Sequence, residues 1–252
     1  MTLLAVDHLS VTLRGRAILR DVSFRVAEGD CIGLIGPNGA GKTTLMRAAL
    51  GLLPATGTSS LAALPPDQRA RAAAWLPQAR QIAWPVTVER LVMLGRTPHL
   101  RGLAGPAPTD HAQLEAALTA MGLHDLRHRT AMRLSGGEQA MVLIARALAQ
   151  DTPLLMADEP IAGLDPANQI ATMRVFARLA EEGRAVIASI HDLGLAVRHC
   201  TRLILLGEGR IVADGPPAAV LTPVHLARIF GVTAHYEQTP LGPVFQPLEV
   251  IA

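Results

Sequence analysis

The chain has 252 residues, half of them hydrophobic and 17% charged, with 23 basic against 21 acidic side chains for a formal charge of +2. So much apolar content excludes intrinsic disorder, and the near-neutral balance removes the broad basic face that nucleic-acid binding needs. The length accommodates one large domain or two small ones. Of the basic residues only one, Lys42, is a lysine. A bias toward Ala and Arg explains the arginines; it does not explain the single lysine.

Cys31 and Cys200 lie far apart in a chain too long to need stapling, so no structural disulfide is expected, as suits a reducing compartment. Residues 1–6 have no basic region ahead of their short apolar run and do not read as a signal peptide. The longest uncharged stretch, 48–66, is broken by Gly51, Pro54, Gly57, Pro65 and Pro66, which rejects a membrane-spanning helix.

In chain order, residues 3–12 and 21–27 alternate apolar and polar as half-buried strands do, with Val22, Phe24 and Val26 on one face and a turn at Arg14-Gly15 between them. Residues 31–35 predict a buried strand feeding a glycine-rich loop, and 43–53 a helix. From about 83 to 150 the chain reads as helical, with periodic runs at 87–94, 110–121 and 139–150. Strand signals return at 154–157, 185–190 and 202–206, and the glycines at 207 and 209 turn that last strand into 210–213. Strands alternating with helices predict a mainly parallel α/β sheet into which the helical middle is inserted. The expected organisation is one domain over 1–252: a core of 1–82 and 154–234, a helical subdomain of 83–153, and a tail of 235–252. In that tail Pro240, Pro243 and Pro247 mix with apolar residues and no role is readable.

Residues 36–44, namely Gly36, Pro37, Asn38, Gly39, Ala40, Gly41, Lys42, Thr43 and Thr44, match G-x-x-x-x-G-K-[ST] between the expected strand and helix. Glycines let successive backbone N–H groups turn inward around phosphate oxygens, and the helix N-terminus adds its positive dipole end. Lys42 brings a compact ammonium to the β- and γ-phosphates, where a planar guanidinium fits poorly. Thr43 offers a hydroxyl to Mg²⁺.

Residues 154–159 read LLMADE, a buried strand ending in Asp158 and Glu159. Neighbours on a strand point in opposite directions, so Asp158 can hold the metal while Glu159 polarises an attacking water. Alone, such a pair is an ordinary solvated turn; downstream of a phosphate loop it reads as catalytic. Residues 134–138 read LSGGE, and Ser135 with Glu138 fits the S-x-x-E capping box of an ordinary helix start. Gly136 and Gly137 also expose backbone N–H groups there, making a second anion site about ninety residues after the first.

Over essentially its whole length the chain resembles the nucleotide-binding subunit of ABC transporters. The resemblance rests on the phosphate loop at 36–44, the LSGGE signature and the Asp158-Glu159 pair. It extends to Gln78 in Leu76-Pro77-Gln78 (the Q-loop position), Gly163-Leu164-Asp165 (the D-loop) and His191 (the switch histidine), all in the family's order. It implies a P-loop NTPase (RecA-like) core with an N-terminal antiparallel β layer and an inserted α-helical subdomain.

It also implies Mg²⁺-dependent ATP hydrolysis with the nucleotide sandwiched between two subunits. Glu159, His191 and Gln78 would then be catalytic, with Thr43, Gln78 and Asp158 toward Mg²⁺. Ser135, Gly136 and Gly137 of a partner copy would cap the γ-phosphate, and Asp165 would join the nucleotide contacts. Leu13 stands where the family usually stacks an aromatic on adenine; Arg14 or Arg16 could stack instead.

The implied partners are a second nucleotide-binding subunit, a homodimer since each motif occurs once and intact, and integral-membrane permease subunits. A substrate-binding protein would be an indirect partner, and no nucleic acid is expected. The implied location is the cytoplasmic face of a membrane, peripherally attached.

Residues 84–100, WPVTVERLVMLGRTPHL, look like importers of iron chelates, haem or cobalamin. The alternatives are an importer of another cargo, an exporter, or a soluble ABC-type ATPase without a permease. The stretch 54–74 is short for the family, so a strand of the antiparallel layer is expected to be missing. Residues 139–141 lack the customary basic residue after the signature, and Met156-Ala157 is less bulky than usual. His124 and His128 lie four apart without a third ligand, so no metal site is expected there, and the basic run 127–133 reads as a solvated face.

Overall fold

The structure, a computed structural model, describes residues 1–79, 81–100 and 105–251. Residues 101–104 of the expected helical insertion and Ala252 of the tail lie outside the described residues. Strands β1 (Thr2–Leu13) and β2 (Arg16–Ala27) pair antiparallel through the turn at Arg14-Gly15, with Leu13 opposite Arg16. Their alternation is realised as expected: Leu4 and Val6 of β1 and Val22, Phe24 and Val26 of β2 are buried, while Ser23 and Arg25 between them are exposed.

Strand β3 (Cys31–Ile35) is buried at every position and leads through the glycine-rich loop into α1 (Lys42–Ala49). The helix is shorter than its apolar run because Leu50 closes it and Gly51 turns left-handed at φ +67°. The short stretch 54–74 nevertheless supplies a strand to the antiparallel layer: β4 (Thr56–Ser59) joins β1 to give the order β2-β1-β4.

Next come α2 (Pro66–Ala72) and β5 (Ala73–Leu76), then α3 (Val88–Met93), α4 (Pro108–Ala120) and α5 (Gly136–Ala149). The remaining elements are β6 (Leu154–Ala157), α6 (Pro166–Glu181), β7 (Ala185–Ser189), α7 (Leu193–His199), β8 (Arg202–Gly207) and β9 (Arg210–Gly215). The central sheet has the order β5-β6-β7-β3-β8-β9, parallel except for β9. Its strands read as continuous apolar runs because both faces are covered. Ile32 and Leu34 pack with α1 and the antiparallel sheet, while Cys31 and Ile35 pack with α5 and α6 on the other face.

The helical segment is held by a buried ion pair. Arg96, on the 3₁₀ turn Leu94–His99 after α3, donates from Nε to Asp110 Oδ1 of α4 at 2.8 Å and from Nη1 to the Ala149 carbonyl at the end of α5 at 2.9 Å. The tail that the sequence left unreadable is a hairpin of β10 (Val232–Thr239) and β11 (Gly242–Val250), which begins ahead of the expected start at 235. It packs on α7, burying Phe245 and accepting a hydrogen bond at the Leu241 carbonyl from Arg198. Among the described residues, no helix is long and apolar enough to cross a membrane.

Candidate active site

The C-terminal ends of β3, β6 and β7 meet at one edge of the parallel sheet, the place where open α/β sheets bind ligands. After β3 the chain makes its phosphate-loop turn. Gly36 sits at φ +147°, and a Cβ there would press into the Leu206 carbonyl oxygen; Gly41, at φ +103°, is the N-cap of α1. Only glycine fits the first position, which fixes where the loop leaves the sheet.

Lys42, the first residue of α1, is 7% exposed. Its Nζ donates to the carbonyls of Gly36 at 2.7 Å and Pro37 at 3.1 Å, folding the ammonium back onto its own loop. Burial pushes its pKa below the usual lysine value, and the carboxylates of Glu159 and Asp158 oppose that shift. Those carboxylates keep a cation in a pocket that burial alone would make hostile to one.

Beyond β6, Asp158 is nearly fully buried and its Oδ2 accepts from Thr43 Oγ1 at 2.7 Å. A hydroxyl and a carboxylate face to face are the hard oxygen donors that Mg²⁺ takes, so the residues fit that ion. Glu159 follows at φ +48°, a left-handed position for a residue with a side chain, and its Oε1 lies 2.8 Å from His191 Nε2 beyond β7. One residue that the sequence reading missed joins this group. Ser189, the fully buried last residue of β7, donates to Asp158 Oδ1 at 2.7 Å and accepts from the Glu159 N–H at 2.8 Å.

A cavity of about 780 Å³ is lined by Asn38, Gly39, Lys42, Thr44, Gln78 and Glu159 among others. Arg16 and Ile18 of β2 form another wall. Gln78 therefore sits with the phosphate loop although it lies on a different segment. Leu13, which the resemblance put near the adenine, ends β1 and does not line the cavity, whereas Arg16 does.

Ser135, Gly136, Gly137 and Asp165 lie elsewhere. Ser135, Gly136 and Gly137 start α5 and do not line the cavity. The capping box is formed: Glu138 accepts from the Ser135 N–H and hydroxyl, both at 2.8 Å, and Ser135 Oγ accepts from the Glu138 N–H at 3.3 Å. The bonds from Ser135 hold the Glu138 carboxyl below its ordinary pKa. Asp165 caps α6, accepting from the Asn168 N–H at 2.9 Å, a bond that lowers its pKa.

A buried lysine in a glycine loop and the Glu159 carboxylate thus line one cavity, with a hydroxyl–carboxylate pair and a histidine bonded at its edge. The ABC transporter family profile matches residues 19–162. The chain belongs to the ABC transporter family. It is 43% identical over 233 residues to the hemin import ATP-binding protein of Nocardia farcinica, covering 90% of this chain and 80% of that protein. It is likewise 43% identical over 227 residues to the cobalamin import ATP-binding protein of Halobacterium salinarum, covering 87% of this chain and 56% of that one. An inward-facing metal-chelate type ABC transporter superposes with a TM-score of 0.85 at 26% identity, over 99% of this chain and 98% of that one.

The fold is thus the P-loop NTPase fold of ABC ATPases, with its antiparallel layer at the N-terminus and a sheet dominated by parallel strands. ATP is the substrate of this ABC ATPase.

Proposed function

We propose that the chain is the ATP-hydrolysing subunit of an importer for an iron chelate, haem or a cobalamin-type cargo, driving a membrane permease from the cytoplasmic face. The observation that carries this reading is one linked group at three strand ends: Lys42 and Glu159 line the same cavity, Asp158 accepts from Thr43 beside them, and His191 engages Glu159. The run 84–100 and the relatives' names support the cargo class. Trp84, just beyond Gln78, is 68% exposed, as a surface that docks a permease would be.

In this reading Lys42 leaves the Gly36 and Pro37 carbonyls for the β- and γ-phosphates of ATP. Thr43, Asp158 and Gln78 would hold Mg²⁺, which would supply positive charge to neutralise the phosphate oxygens. Glu159 orients the attacking water and accepts its proton, a contribution of about 10²–10⁴-fold. His191 donates to the γ-phosphate as charge spreads over its oxygens. Ser135, Gly136 and Gly137 act in the site of a second copy, so ATP closes a homodimer and hydrolysis reopens it. Asp165 joins the nucleotide contacts. The core comprises 1–82 and 154–234, the helical insertion 83–153 carries the signature, and a substrate-binding protein delivers cargo to the permease.

Copurification in mild detergent followed by mass spectrometry tests the assignment. A multi-span permease and a substrate-binding protein are expected. Recovery of soluble partners alone contradicts it.

A further inference from the structure

We propose that Ser189 is a positioning residue for hydrolysis, setting the directions of both acidic side chains through one hydroxyl. The inference rests on the roles proposed above for Asp158 and Glu159.

The register of the sheet creates the contact. Ala157 of β6 is level with Ala188 of β7, so the next pair brings Asp158 beside Ser189, and Leu34 of β3 flanks Ser189 on its other side. The side chain is therefore enclosed between two strands and is fully buried. A hydroxyl carries one proton. The Glu159 N–H can only donate, so Ser189 Oγ accepts from it at 2.8 Å and gives its own proton to Asp158 Oδ1 at 2.7 Å.

The other Asp158 oxygen accepts from Thr43. Each carboxylate oxygen thus has one donor, one from the phosphate loop and one from β7, and the group cannot rotate without breaking a bond. The second half of the bridge holds the Glu159 backbone at its left-handed φ of +48°, a conformation that persists only where neighbouring structure enforces it. That turn sends the Glu159 side chain toward His191 while Asp158 stays on Thr43.

Removing the hydroxyl leaves the Glu159 N–H without its acceptor and Asp158 Oδ1 without its donor, at a place shielded from water. The phosphate cradle itself is untouched. Ser189→Ala should therefore keep ATP affinity within about threefold and lower kcat by about 10–100-fold, because misplacement of reacting groups acts on the chemical step. Ser189→Thr retains the hydroxyl and should recover most of the loss; an effect due only to packing would not be restored by the hydroxyl.

The test is single-turnover and steady-state ATP hydrolysis by the purified full chain, with nucleotide affinity measured separately and Glu159→Gln run in parallel. Parental kcat in Ser189→Ala beside an inactive Glu159→Gln overturns the positioning role alone. Parental kcat in Glu159→Gln overturns the reading beneath it. Should Ser189→Ala be recovered unfolded, Ser189→Cys is read instead. It keeps the volume with a poor donor and acceptor, and parental kcat there overturns the proposal.

Discussion

Glu159 Oε1 and His191 Nε2 stand 2.8 Å apart, joining the ends of β6 and β7 across 32 residues of sequence. In this structure the two side chains engage each other, over a cavity that Glu159 itself lines. On the proposed roles, His191→Ala should lower turnover by about 10²–10³-fold, the usual loss of one transition-state donor. ATP affinity should change little. Steady-state kinetics with separately measured binding checks both.

Lys42 is the only lysine, and its ammonium already bonds two loop carbonyls. Charge-assisted bonds are worth about 1.5–3 kcal/mol each, so Lys42→Ala should weaken ATP binding by roughly one to two orders of magnitude. Lys42→Arg should not restore it, because the fork geometry does not fit the cradle. Titration with a fluorescent nucleotide checks both variants.

The Arg96–Asp110 pair predicts a stability effect remote from the chemistry. Both side chains are at least nine-tenths buried, so removing either leaves an uncompensated charge and should cost about 3–5 kcal/mol. The Arg96 hydrogen bond, with one from the Ala107 backbone, holds the Asp110 carboxyl below the ordinary aspartate value. A depressed folded-state pKa contributes stability that is fully present above the unfolded value of about 3.9 and is lost as pH falls through the folded value. The fall in Tm from pH 6 to pH 3 should accordingly be smaller in Asp110→Asn than in the parent. An equal fall in both would contradict the pair's contribution.

The phosphate loop, the carboxylates and the capping box were legible because each is a contiguous string whose chemistry needs those residue types at that spacing. Ser189 was not. In Ala188-Ser189-Ile190 it looks like one small residue of a buried strand, and its partners come only from the parallel pairing of β6 with β7, which local periodicity does not encode. Strand β5 was missed because Ala73–Leu76 runs on without a break from the alanine-containing helix α2 and carries no β-branched residue. The tail hairpin was missed because Pro243 and Pro247 obscure a strand that lies at an edge of its two-stranded sheet, where proline is tolerated. Leu13, a position transferred by resemblance, lies outside the cavity lining, while Arg16 on the next strand is part of it.

Ser135 is satisfied locally by Glu138 and lies outside the cavity. Ser135→Ala should cost about 1 kcal/mol of stability as a lost helix cap. Its larger expected effect is on assembly: the monomer should still bind ATP, but ATP should no longer drive dimer formation. Light scattering with and without ATP, in a Glu159→Gln background that prevents hydrolysis, separates the two. Normal dimerisation would show that Ser135 is a cap and nothing more.

The most direct measurement is ATP turnover by Glu159→Gln. The variant should bind ATP with near-parental affinity, lose hydrolysis by at least about 10²-fold, and accumulate as an ATP-bound dimer. Hydrolysis at the parental rate would contradict the role of Glu159 and, with it, the catalytic site built around Lys42, Asp158 and His191.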